Sequence, residues 1–506
     1  MTAAAGPDAT VDRAALPGYV RVAVVGAGFA GIGAAIALRK AGHADVVVLE
    51  RAESIGGTWR DNTYPGCACD IPSHLYSFSF APNPGWTRSF PAQPEIWGYL
   101  EDVCDRFAVR RQVRCGVELT GAYWDEAEAH WRLTTSRGEL SADILVSAAG
   151  GLSQPKVPAL PGLNDFAGAV FHSAGWDHGV DLAGARVAVI GTGASAVQFV
   201  PQIQPWVAQL YVFQRTPPWI IPRRDRPISP RLRTLFRAAP PVQRLARAAI
   251  YLSREAAVVG FVAAPAAMRA VEALARRHLR AQVADPALRA TLTPDYRAGC
   301  KRILLSDDYY PALTQPNTEL VSAGVRALTP DGVTAADGRT RPVDVVVLAT
   351  GFRATDPPIA HHIRGRGGVL LADAWAAAGM QALRGSTLAG FPNLFFLVGP
   401  NTALGHNSIV FVIECQLRYL RDALRAMDTR GLAAIEATPA AQRRWNAELQ
   451  RRMRRTVWAT GGCATWYQDD RGRIPTLWSG STLRLRRATR SIDLSEYHLR
   501  QRPARS

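Results

Sequence analysis

Short apolar runs that end at glycine alternate with stretches of helical period along this 506-residue chain. Val22–Val25, Val46–Leu49, Val187–Ile190 and Leu210–Phe213 carry no charge and are too short to be buried helices. Each predicts a strand covered on both faces, as in a parallel sheet flanked by helices. Ala142–Gly150 and Asp344–Phe352 predict buried strands that finish in small residues. Phe391–Pro400 reads as a further strand running into a Gly/Asn loop, and a helix with an apolar face follows from about Ser408 to Ala426. Residues 228–290 are rich in Ala and Arg, with helical period interrupted by prolines, and predict a helical insertion. Its helices fit helix-on-helix packing, with a membrane-surface helix as the alternative. Ser153–Gly162 is a Pro-rich linker, and residues 1–17 read as a flexible tail.

Two of these strand–turn–helix units carry the dinucleotide fingerprint. The first has Gly26, Gly28 and Gly31, with Glu50 closing the next strand; the second has Gly191, Gly193 and Ala196, with Arg215 after the next strand. The first glycine permits a tight turn, the second lets backbone approach a pyrophosphate, and the helix N-terminus offers N–H donors. The residue at the tip of the second strand meets the adenosine ribose. Glu50 accepts bonds from a free 2′-OH, which suits FAD or NAD and would repel a 2′-phosphate. Arg215, with Thr216 beside it, suits the 2′-phosphate of NADPH. One charge-assisted bond of roughly 1.5–3 kcal/mol gives about tenfold to a hundredfold discrimination. The expected fold is α/β, with two Rossmann-like domains and the helical insertion. The FAD domain is discontinuous (1–155 and 385–506), and the NADPH domain (156–225 and 300–384) is inserted in it around the helical segment 226–299.

Composition narrows the function. The chain is 48% hydrophobic, and its longest apolar run, Ala256–Met268, is broken by Gly260 and Pro265, so no segment is long enough to span a bilayer. The N-terminus has no basic region or cleavage pattern, which predicts a cytoplasmic protein. The net charge of +17 does not imply nucleic acid, because the basic residues are dispersed and no binding motif organises them. Only Lys40, Lys156 and Lys301 are lysines; every other basic residue is arginine. Seven scattered cysteines predict reduced thiols and no metal site. Cys67-Ala68-Cys69 lacks the spacing of a redox-active loop, which disfavours a flavin disulfide reductase.

Two further motifs carry a resemblance. Phe166-x-Gly168-x-x-x-His172-x-x-x-Trp176-Asp177 and Gly57-x-Trp59-x-x-x-x-Tyr64-Pro65-Gly66-x-x-x-Asp70 resemble the fingerprints of the class B flavoprotein monooxygenases, and within them the Baeyer–Villiger monooxygenases. Relatives that oxygenate nitrogen or sulfur usually carry Tyr or Phe where Trp176 stands. The resemblance implies FAD, NADPH, O2 and a ketone, converted to an ester or lactone through a C4a-peroxyflavin; N- or S-oxygenation with the same cofactors is the alternative. A redox-sensing nucleotide-binding protein without turnover is a third reading.

By the same resemblance Arg302 is the active-site cation and Asp70 its partner beside the flavin. Lys301 joins Arg215 and Thr216 at the 2′-phosphate, and Thr192, Gly193 and Ser195 belong to the same nucleotide site. Thr58, Trp59, Arg60, Asp61 and Tyr76 line the flavin site, and Trp466 contacts the nicotinamide from the loop 461–480. The motif from Phe166 to Asp177 couples domain movement to catalysis. Taken singly, each residue also has a plain structural reading. Lys301 and Arg302 could form a solvated basic face, Asp70 a turn, and His172 and Trp176 an interface. Tyr76, Phe78 and Phe80 could be a half-buried strand, and Trp466 a loop anchor. Oligomeric state cannot be read from the chain.

Overall fold

The computed structural model describes residues 15–502, so the tail expected over 1–17 lies almost wholly outside the described residues. Strand Tyr19–Val25 pairs in parallel with Val46–Leu49 on one side and Gly138–Ser147 on the other, with Val24 in register with Val48 and Val146. All four residues of Val46–Leu49 are buried, as expected of a strand covered on both faces. This sheet has eight strands and continues antiparallel through His130–Thr135 and Leu119–Asp125. A second, five-stranded sheet is wholly parallel, in the order Thr318–Val321, Gln209–Phe213, Arg186–Ile190, Val345–Leu348, Ala169–His172.

The two predicted strands stop before their small-residue ends, at Ser147 and Leu348, and the first begins earlier, at Gly138. The residues beyond them have another task. The carbonyls of Ala148 and Ala349 lie against Gly26 and Gly191, where an added Cβ would come within 2.7 and 2.5 Å.

The last third of the chain returns to the first sheet. Leu394–Phe396 pairs in parallel with Gly138–Ser147, and helix Ile409–Thr429, capped by Ser408, packs on helix Phe29–Lys40. Gly33 makes that approach possible, since a Cβ there would lie 3.0 Å from Leu417 Cδ1. The chain is already back at Ile363–Arg364, which pairs with Leu119–Asp125, ahead of residue 385.

One plain alternative does not form, and one expectation is corrected. Tyr76, Phe78 and Phe80 form no strand: Leu75 and Tyr76 donate to the Pro72 carbonyl in a turn, and Phe78 packs on Phe29 and Phe80 at 5.3 and 4.8 Å. Ring-to-ring contact across the core replaces a ladder. The thiols are not all reduced either, because Cys300 and Cys463 form a disulfide. Arg297 N donates to the Gly461 carbonyl at 2.9 Å and brings the two loops together.

The insertion consists of helices Pro230–Ala238, Pro240–Ala256, Met268–Gln282 and Pro286–Thr291. Proline sits in the first turn of three of them, where its missing N–H costs nothing. Glu255 fastens this segment to the rest of the chain. Its carboxylate accepts bonds from Asn407 Nδ2 (2.9 Å), Thr482 N (2.7 Å) and Thr482 Oγ1 (2.6 Å). Burial alone would raise its pKa, but the bonds from His406, Thr482 and Asn407 outweigh that and hold it at about 2. The stabilisation is therefore complete above the ordinary carboxylate range and is lost as pH falls toward about 2. Glu255→Gln should remove about 3 kcal/mol at neutral pH. The gap in unfolding midpoint between wild type and variant should begin to narrow as pH falls through the ordinary carboxylate range and close near pH 2; a gap constant with pH would show that Glu255 contributes no such linkage.

Candidate nucleotide and catalytic site

The first fingerprint folds into a cradle lined by backbone. Gly26 adopts φ +103°, and a Cβ on Gly31 would stand 1.8 Å from the Gly26 carbonyl oxygen. Gly28 faces Gly57, whose own Cβ would lie 3.1 Å from Gly28 Cα. Helix Phe29–Lys40 starts at Gly28 without a side-chain cap, leaving its first N–H groups available to an anion. Glu50 is 5% exposed and accepts from Ala27 N at 2.8 Å and Arg60 Nη1 at 3.0 Å. Arg60 also bonds Asp61 Oδ1 at 2.8 Å. Burial works against the Arg60 charge, and Glu50 and Asp61 more than offset it, so its pKa is raised. Thr58 opens the short helix Thr58–Asp61, and Trp59 Nε1 donates to Tyr76 Oη at 3.0 Å. A side-chain-free groove, an uncapped helix end and a buried carboxylate at the strand tip fit FAD.

The second fingerprint repeats the plan. Gly191 has φ +114°, helix Ala194–Ile203 begins at Gly193 without a side-chain cap, and no atom lies within 4 Å of where a Gly193 Cβ would stand. Thr192 Oγ1 donates to the Thr216 carbonyl at 3.4 Å, while Ser195 and the fully buried Ala196 occupy the first helical turn. Arg215 is exposed and makes no ion pair among the described residues. The Lys301 pKa is lowered, first by burial and then by Arg215, so the two cations share one neighbourhood. Two such cations beside an open helix N-terminus fit a phosphorylated nicotinamide dinucleotide.

Arg302 and Asp70 meet between these cradles. Nε donates to Oδ2 and Nη2 to Oδ1, both at 2.7 Å, a bidentate pair that fixes the guanidinium plane. The Asp70 charge raises the Arg302 pKa against the effect of burial. Sequence reasoning did not anticipate Tyr467. Its phenol is buried and lies close enough to the Arg302 guanidinium for each to shift the other's pKa. Trp466 is 49% exposed, with its ring 4.4 Å from that of Tyr467. A tandem aromatic pair in a Gly-rich loop was visible in the chain, but nothing local tells which ring turns inward.

The two longer motifs converge on helix Ala194–Ile203. Tyr64 Oη donates to Gln198 Oε1 at 3.0 Å, and Gly66 lies against the Gln198 carbonyl. Trp176 packs edge-on against Phe199 at 5.1 Å, and Tyr64 meets the same ring at 6.0 Å. Gln198 and Phe199 were also missed, because they lie in an ordinary amphipathic stretch. Phe166 is buried, and Gly168 passes so close to the Asp344 carbonyl that a Cβ would lie 2.1 Å away. His172 Nδ1 accepts from Ala174 N, and Asp177 Oδ1 accepts from Gly179 N, each closing a local turn.

Cys67 and Cys69 are buried thiols outside any disulfide, and burial pushes their pKa values up, to about 11 for Cys67. They are poorly suited to thiolate chemistry.

A family described as pyridine nucleotide-disulphide oxidoreductase matches residues 23–241. A Baeyer-Villiger monooxygenase of Streptomyces coelicolor is 54% identical to this chain, covering 96% of it and 94% of the relative. One of Pseudomonas aeruginosa is 50% identical, covering 96% and 92%. The solved structure of an oxidized steroid monooxygenase bound to NADP superposes with a TM-score of 0.84 at 34% identity, covering 96% of this chain and 100% of that one.

Proposed function

Since the chain belongs to the Baeyer–Villiger monooxygenases, we propose that Arg302 and Asp70 are its catalytic pair and that its substrate is a ketone. The enzyme uses FAD and NADPH. When bound, NADPH-reduced FAD and O2 supply the oxygen-transfer chemistry. The protein's part is placement and charge. Arg302 stays protonated at any working pH and sets a fixed positive charge where an oxyanion develops beside the carbonyl. Asp70 orients that guanidinium through two bonds, which also offset the cost of burying it. The Gly26–Gly31 cradle with Glu50, Arg60 and Asp61 holds the flavin dinucleotide, with Thr58, Trp59 and Tyr76 beside it. Gly191–Ala196, Arg215, Thr216 and Lys301 hold NADPH, and Trp466 covers it. The domain division follows, with the return boundary moved ahead of Ile363–Arg364: 1–155 and 363–506 for FAD, 156–225 and 300–362 for NADPH, and 226–299 as the insertion. Tyr64 and Trp176, both seated on Phe199, transmit movement between the two nucleotide sites. We place the enzyme in the cytoplasm, where its reductant is found.

The observation that carries this reading is the bidentate Asp70–Arg302 pair set between two nucleotide cradles of opposite terminal charge. The experiment is turnover of a mixed panel of ketones and thioethers under oxygen-18. One labelled oxygen beside a former carbonyl is the expected product. Sulfoxides alone, or hydrogen peroxide alone, would overturn the assignment.

A further inference from the structure

The helical insertion leaves one face uncovered. Along helix Pro240–Ala256, Val242, Leu245, Ala249, Leu252 and Ala256 are all exposed, and the same three–four spacing continues to Val259 and Ala263 in a π-turn. Leu245 is 72% exposed, Leu252 62% and Val259 51%. Leu232 and Leu235, on the preceding helix Pro230–Ala238, are exposed as well. A soluble helix ordinarily turns such a stripe inward. Here the opposite face is the buried one. It carries Gln243, which donates to the Asn83 carbonyl; Arg247, which donates to the His74 carbonyl; and Glu255, which holds Thr482.

The charges around the stripe are one-sided. Arg231, Arg237, Arg244, Arg269 and Arg277 are exposed on these helices, whereas the two acidic residues between 229 and 283, Glu255 and Glu272, are both buried. A second copy of this face would therefore meet it with like charge and no exposed carboxylate to pair with. An anionic lipid surface answers both features, taking the leucines into its acyl boundary and the guanidiniums among its headgroups. No single described helix is long and apolar enough to cross a membrane. Pro240–Ala263 and Pro265–Gln282 are bent through 116° at the break between them.

We propose that the outer face of this hairpin is a peripheral docking surface for anionic membranes. Substrates dissolved in the bilayer would then lie one helix diameter, about 10 Å, from the face that carries Arg254 and Glu255. Arg254, beside Glu255, senses the charges of Asp70 and Arg302.

The test uses the FAD-loaded enzyme and sedimentation with vesicles of phosphatidylglycerol and phosphatidylcholine, compared with phosphatidylcholine alone. L245S/L252S leaves the net charge unchanged, and its flavin content and turnover of a water-soluble ketone report that it is folded. Wild type should bind the anionic vesicles at least tenfold more strongly than the double variant, and hardly bind the neutral ones. L235S/V242S, on the flanking part of the same face, should weaken binding to a lesser degree. Equal binding by wild type and L245S/L252S, or none by wild type, would refute the proposal. So would a wild-type dimer in solution that the double variant turns into a monomer, because the stripe would then be a seam between copies. The binding readout needs no turnover, so its failure is distinct from failure of the ketone assignment.

Discussion

Arg302→Ala should lose ester formation by a factor of a hundred to a thousand, while NADPH still bleaches the flavin at close to the wild-type rate. The magnitude is that of one electrostatic group removed from a developing oxyanion, about 3–4 kcal/mol. The split between the two half-reactions follows from position. Reduction depends on the nucleotide cradles, which Arg302 does not build, whereas oxygen insertion depends on the charge that Asp70 holds in place. Arg302→Lys keeps a cation but cannot reproduce the two parallel bonds to Asp70, so it should recover only part of the loss. Anaerobic stopped-flow reduction and product chromatography read the two halves separately. Ester yield within threefold of wild type in Arg302→Ala would remove the guanidinium from the chemistry.

R215A/K301A is expected to raise the KM for NADPH by a hundredfold or more and to leave the KM for NADH nearly unchanged. Two charge-assisted contacts to one phosphate, at roughly 1.5–3 kcal/mol each before non-additivity, set that scale. Burial and Arg215 both hold the Lys301 pKa down, so removing Arg215 alone should raise it. The single variants should therefore add to less than the double. A parallel rise in both KM values would mean that the pair shapes the pocket without reading the 2′-phosphate.

Local signals carried far in this chain. The apolar runs ending at Gly26 and Gly191, and the opposite charges of Glu50 and Arg215, were legible because strand, turn and helix are contiguous there. The closing strands Gly138–Ser147 and Val345–Leu348 were legible for the same reason, though their ends were not. The carbonyls of Ala148 and Ala349 leave the sheet to meet a glycine far away in sequence. The aromatic run Tyr76, Phe78, Phe80 left a strand open as its plain reading, because alternation makes a strand only when a neighbouring strand exists, and here Phe29 and Tyr99 supply rings instead. Tyr467 was hidden beside Trp466, because the choice of which ring reaches Arg302 is made by contacts remote in the chain. The Cys300–Cys463 bond spans 163 residues and leaves no mark on spacing.

That bond sits directly before Lys301 and Arg302 and three residues before Trp466. Dithiothreitol is expected to open it, read as two titratable thiols added to those outside the bridge, and reoxidation to remove them again. Samples prepared with and without dithiothreitol are then two covalently different molecules at the residues that matter most. Rates compared between laboratories carry meaning only where the sulfhydryl count is recorded beside them.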